Sequence, residues 1–179
     1  MNSEKTLDDM KKIFTLAALS ILMFSATSVF GQTQNKPQVG NMFIDFTVQQ
    51  DPMDPYSKVS LSNYVGRGKW VVADFWASWC GWCIKEIPTL KRIFNDMPMD
   101  KVTVLSIAVW DKLSDTKASA RENGIVWSQI VNAQDIPSDA YGFGGIPYIV
   151  VFDPQGKIAA IGLRGNKLYN FVKDSVEGK

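Results

Sequence analysis

Apolar and polar positions repeat with two different periods along this chain, and the changes of period mark its elements. Phe43 to Val48 alternates residue by residue, the pattern of an edge strand, and Lys58 to Tyr64 reads as a short strand followed by a helical turn. Trp70 to Trp76 is a nearly continuous apolar run, as in a strand covered on both faces. From Gly81 to Met97, Ile84, Ile87, Leu90, Ile93 and Phe94 recur at helical spacing. Pro88 is expected to kink that helix, because it lacks an N–H and crowds the carbonyl of Ile84. Val102 to Val109 is a second buried strand, Asp115 to Asn123 a polar helix ended by Gly124, and Val126 to Val131 a short strand. A helical turn at Ile136 to Tyr141 leads into a glycine-rich loop. Ile146 to Phe152 and Lys157 to Ile161 are strands joined by Asp153-Pro154-Gln155-Gly156, a turn sequence that makes them an antiparallel hairpin. Asn166 to Val176 closes the chain as a helix.

This order of elements predicts an α/β fold, a central mixed β-sheet flanked by helices on both faces. In open sheets of this kind the site lies at the carboxyl end of the strands, here where the strand ending at Trp76 turns into the Gly81 helix. The folded domain is expected over 42–179, preceded by a polar linker at 32–41 in which nothing could pack. Ahead of that, Lys11 and Lys12 precede an apolar run from Ile13 to Phe24 and then Ser25, Ala26, Thr27 and Ser28, the layout of an export signal over 1–31. No cysteine stands near its end, so lipid attachment is not supported. An uncleaved segment would instead tether the domain to a membrane.

Composition narrows the chemistry. The chain has 179 residues, is 46% hydrophobic and carries a net charge of +1, with charges scattered along it, so nucleic acid is not an expected partner. It contains no histidine, which removes Ser-His and Cys-His catalysis, histidine-ligated metals and histidine proton shuttles. Its two cysteines, Cys80 and Cys83, fall at the strand-to-helix junction. A structural zinc site needs two more ligands, and there is no other cysteine and no histidine to supply them, so no metal is expected. A purely structural disulfide over so short a loop would contribute only roughly 2 kcal/mol. Redox chemistry is the reading that physics favours. A cysteine at a helix N-terminus has its thiolate stabilised by unpaired backbone N–H groups and the helix dipole. Cys80 then attacks, and Cys83, one turn behind and closer to the interior, resolves the mixed disulfide.

Asp74 is flanked by Val71, Val72, Ala73 and Phe75 in a strand covered on both faces, so burial is expected to raise its pKa and suit it to proton transfer. The alternative is an aspartate that reaches water at the sheet end. Glu86 is three residues beyond Cys83 on the same helix face, where a plain solvated carboxylate is the alternative to a functional one. Trp79 and Trp82 bracket Cys80 in a turn that must meet another protein, which favours a partly exposed apolar rim for docking.

The run Asp74-Phe75-Trp76-Ala77-Ser78-Trp79-Cys80-Gly81-Trp82-Cys83 resembles the active-site strand and turn of thioredoxins. Glu86-Ile87-Pro88, Ala140-Tyr141-Gly142 with Gly145-Ile146-Pro147, and Ile149-Val150-Val151-Phe152-Asp153 with Gly156-Lys157-Ile158 are similar to the TlpA-like branch of exported bacterial disulfide reductases. The likeness covers about 42–179. It implies a thioredoxin-like fold, a cis bond before Pro147, with the Ile146 backbone beside Cys80 open to an extended substrate segment, and Asp74 as acceptor of the resolving thiol's proton. It also implies that Glu86 tunes the cysteine pair. The chain departs from thioredoxin in having no lysine within Val102 to Val109, where a partner for Asp74 would be expected.

The expected function is thiol–disulfide exchange on extracytoplasmic protein disulfides, in the reducing direction by family likeness. The Cys80–Cys83 pair is its own redox centre without a further cofactor. The expected setting is the periplasm or another extracytoplasmic space, with a membrane thiol donor restoring the dithiol of a monomeric protein. Two alternatives stand beside it: a redox-inactive thioredoxin-fold module that binds peptides or acts as a chaperone, and a thiol peroxidase. The chain lacks the proline- and threonine-bearing approach that thiol peroxidases place before their reactive cysteine.

Overall fold

The computed structural model describes residues 36–179, so the expected export signal and the first part of the linker lie outside the described residues. Among the described residues no helix is long and apolar enough to cross a membrane. The chain opens with a two-stranded antiparallel hairpin, β1 (Thr47–Gln49) and β2 (Lys58–Ser60), and a single 3-10 turn at Leu61–Asn63. Then follow β3 (Trp70–Trp76), α1 (Gly81–Asp96), β4 (Val102–Ala108), α2 (Leu113–Glu122), β5 (Ser128–Ile130), α3 (Ile136–Tyr141), β6 (Tyr148–Phe152), β7 (Ile158–Ile161) and α4 (Gly165–Glu177).

The main sheet has the order β5-β4-β3-β6-β7. β3, β4 and β5 run parallel, each joined to the next by a helix, and β6 and β7 are antiparallel to their neighbours. β3 is therefore central and buried from Val71 to Trp76, as its apolar run requires. Because side chains alternate across a strand, β3 serves two cores. Val72 and Trp76 pack with Ile87, Leu90 and Ile93 of α1, Ala120 of α2, and Leu168, Tyr169 and Val172 of α4. Val71, Ala73 and Phe75 pack with Phe46, Val48 and Leu61 of the N-terminal segment, Tyr141 of α3, and Phe152 and Ile158 of the closing hairpin. Helices thus cover both faces of a mixed sheet.

One local expectation needs correction, and one element runs as its spacing predicts. As the apolar spacing predicts, α1 continues from Gly81 to Asp96 with Pro88 inside it. The proline is exposed, and buried Cys83, Glu86 and Ile87 before it and Leu90 and Ile93 after it anchor both halves to the core. The expectation to correct is the linker, whose last residues are not free. Gly40 N–H donates to the Ile158 carbonyl at 2.7 Å, and Ile158 N–H donates to the Asn41 carbonyl at 2.8 Å, so the chain is paired to the edge strand β7 two residues before Met42. An open edge offers backbone partners to any sequence, and hydropathy carries no sign of that. The turn into β7 behaves as its residues dictate: Asp153 Oδ1 accepts from the N–H groups of Gln155 and Lys157, and Gly156 takes φ +91°, where a Cβ would stand 2.9 Å from the Phe43 ring.

Candidate active site

Cys80 is the residue before the first turn of α1, with extended backbone (φ −86°, ψ 94°), and its sulfur accepts from the N–H of Cys83 at 3.1 Å. The two sulfurs are bonded, 2.06 Å apart. Cysteine here takes the place of the usual serine or aspartate cap, so on reduction the same N–H and the same helix dipole face the Cys80 thiolate. Cys83 is fully buried, and Cys80 is nearly so. Trp79 and Trp82 flank the pair at 61% and 69% exposure, large apolar surfaces left open to solvent. The Lys85 ammonium stands 4.3 Å from the centre of the Trp82 ring.

Beneath the cysteines, Asp74 is 1% exposed, which removes the alternative that it reaches water at the sheet end. Its Oδ1 has no hydrogen-bond partner. Burial, helped by the Glu86 charge and opposed by the Arg164 guanidinium, pushes the Asp74 pKa up to about 8. Glu86 is also buried rather than solvated, against the plain helix-face alternative, and its Oε1 accepts the N–H of Gly165 at 2.7 Å. It therefore caps the first turn of α4 from a different helix, placing a carboxylate at the positive end of that helix. The Ile146–Pro147 peptide bond is cis, and Ile146 packs against the core cluster that holds both cysteines. Cys80, Cys83 and Ile146 thus share one core cluster on the α1 side of the sheet, Glu86 on α1 lies close enough to Asp74 for their charges to act on each other, and Pro147 immediately precedes β6.

Three contributors were not foreseen. Arg164 Nη2 donates to the Pro147 carbonyl at 2.7 Å, so the cation beside Asp74 comes from the head of α4 and not from a strand lysine. Asp111, just beyond β4, is buried and accepts four bonds: from Ser78 N–H at 2.7 Å, and from Ser78 Oγ, Lys112 N–H and Thr116 Oγ1 at 2.9 Å each. It ties the approach to Cys80 to the neighbouring strand's exit. Trp110 holds a left-handed backbone at φ +54°, with its carbonyl accepting from Trp79 Nε1 at 3.0 Å. Trp110 and Asp111 leave the same sheet end as Cys80, the one signal in the sequence that could have marked them. Among the described residues no group of three or more cysteine, aspartate or glutamate side chains stands where it could hold a metal ion.

Comparison with known proteins agrees with this geometry. The AhpC/TSA family pattern matches residues 39–161. Thiol-disulfide oxidoreductase ResA of Geobacillus thermodenitrificans is 24% identical over 168 residues, 94% of this chain and 93% of its own. Among solved structures, the thioredoxin domain of a thiol-disulfide oxidoreductase from Bacteroides vulgatus is 31% identical with a TM-score of 0.68, covering 78% of this chain and 98% of that one. A thiol:disulfide interchange protein from Bacteroides sp. is 31% identical with a TM-score of 0.67, covering 79% and 92%.

Proposed function

The chain belongs to the AhpC/TSA family and is a thiol–disulfide oxidoreductase, and from that premise we propose that it reduces disulfides of exported proteins. One observation carries the reading: the Cys80–Cys83 disulfide sits at the head of α1, with the Cys80 sulfur already taking the Cys83 N–H. In the reduced enzyme the Cys80 thiolate attacks one sulfur of a substrate disulfide, forming a mixed disulfide and expelling the other sulfur as a thiolate that takes a proton from solvent. Cys83 then gives its proton to Asp74 and attacks the Cys80 sulfur. The second substrate sulfur leaves as a thiolate, and the enzyme returns to the Cys80–Cys83 disulfide.

Asp74 suits the acceptor role better than Glu86. Its pKa of about 8 lies close to the ordinary thiol value of about 8.5, so the proton moves between matched groups, whereas Glu86 is engaged by Gly165. The cis Ile146–Pro147 segment supports extended pairing with the substrate backbone, and Trp79 and Trp82 supply apolar contact area. The apolar run behind Lys11 and Lys12 supports export, and an exported dithiol then needs a thiol donor at the membrane to regenerate it.

The deciding experiment is insulin-disulfide reduction by Cys80→Ser, with Cys83→Ala used to trap clients as mixed disulfides. Reduction should fall to background in Cys80→Ser, and Cys83→Ala should accumulate covalent client complexes. Unchanged client function in Cys80→Ser would favour a peptide-binding module instead. A reduction potential against glutathione as high as about −120 mV would overturn the reducing direction.

A further inference from the structure

The dipeptide Arg164–Gly165, at the head of α4, touches both halves of the site. Arg164 holds the carbonyl of the cis-proline, and the very next residue donates its N–H to Glu86, both at 2.7 Å. Gly165 adopts φ +55° with open space where a Cβ would be, so the glycine serves the conformation and not a close approach. The charged groups that bear on Asp74 come from two elements, Glu86 from α1 and Arg164 from the head of α4, and α1 also brings the titratable Cys83. Its register partners on the adjoining strands, Ser106 and Ile149, are uncharged.

We propose that Arg164 is a positioning residue for the exchange reaction: it pins the cis-prolyl loop through the Pro147 carbonyl and serves as the counter-charge of the buried Asp74–Glu86 pair, while Gly165 holds Glu86 in place. Arginine fits both duties, because its planar fork can give one N–H to a carbonyl and keep its charge, with further donors, directed elsewhere. The cation lowers the proton affinity that burial and the Glu86 charge give Asp74, so the proton acceptor stays usable near neutral pH.

This inference rests on the oxidoreductase reading, and its test separates the two. In the oxidised full-length protein the Asp74 carboxyl is titrated by carbon NMR, a measurement that needs no turnover. Arg164→Gln keeps a donor for the Pro147 carbonyl and removes the charge; its Asp74 midpoint should rise by about half to one unit, a threefold to tenfold gain in proton affinity, the modest end of the range because Arg164 is partly in solvent. Arg164→Lys keeps the charge and should titrate close to the natural protein. The pH at which insulin reduction is half-maximal should move with the carboxyl in both variants. An Asp74 midpoint unmoved in Arg164→Gln, or moved as far in Arg164→Lys, overturns the inference. An inactive natural protein would instead sink the oxidoreductase reading and leave the titration to be judged on its own.

Discussion

The two faces of β3 are built to different standards. Val71, Ala73 and Phe75 look into a closed apolar layer in which rings meet rings: Phe75 lies 5.8 Å from Tyr141, and Tyr141 6.4 Å from Phe152. The Tyr141 hydroxyl is satisfied twice there, accepting from Ile44 N–H at 3.1 Å and donating to the Ile44 carbonyl at 3.0 Å. One residue over, Asp74 and Trp76 are buried with Oδ1 and Nε1 lacking any partner. Buried polar atoms are nearly always bonded, and each orphan raises the energy of the folded state. The α1 face, equally covered, raises the proton affinity of a buried carboxyl toward that of a thiol, which suits the proposed role of Asp74 as proton acceptor.

That contrast can be broken from either side. The largest effect should come from the closed face: Phe152→Ala removes a fully buried ring and should cost about 3–5 kcal/mol, lowering Tm by roughly 10 °C or more, while leaving the pH profile of exchange in place. Thermal melts beside a pH–rate series check this, and a displaced profile would mean that the two faces are coupled.

Asp74→Asn should do the reverse. The folded protein holds the Asp74 proton up to about pH 8, whereas the unfolded chain releases it near 3.9, so this group's contribution to stability is full below about pH 4 and is lost as the pH rises through 8. An asparagine has no charge to bury. The variant should therefore gain about 2 kcal/mol at pH 9, roughly 5 °C in Tm, and little at pH 4, while its exchange rate drops about 10²-fold. Equal melting of the two proteins at pH 9 would show that Asp74 does not resist ionisation. The smallest effect on the fold belongs to the rim: Trp82→Ala should change stability by less than about 0.5 kcal/mol. It should raise KM for protein disulfides several-fold and leave reaction with a small disulfide unchanged, a split that steady-state kinetics resolves.

Much of this was legible along the chain. The apolar run at β3, the helical spacing of Ile87, Leu90 and Ile93, and the turn Asp153 to Gly156 predict their elements because period and turn chemistry are local properties. The burial of Asp74 follows from its apolar neighbours in a central strand, and the capping place of Cys80 from its position ahead of a helix. The helix runs through Pro88 as the spacing of Ile87, Leu90 and Ile93 predicts, although the contacts that anchor it on both sides of the proline come from other elements.

By itself the sequence determined the layered α/β fold, the cysteine pair at a strand-to-helix junction and the burial of Asp74 in the strand before it, because each depends on residues close together in the chain. Only the tertiary structure decided what surrounds them. Glu86 meets Gly165 across 79 residues, Asp111 meets Ser78 across 33, and Arg164 meets Pro147 across 17. Such bonds leave no periodic trace, for a single polar contact between distant segments is specified by how whole layers pack and not by the residues beside either partner.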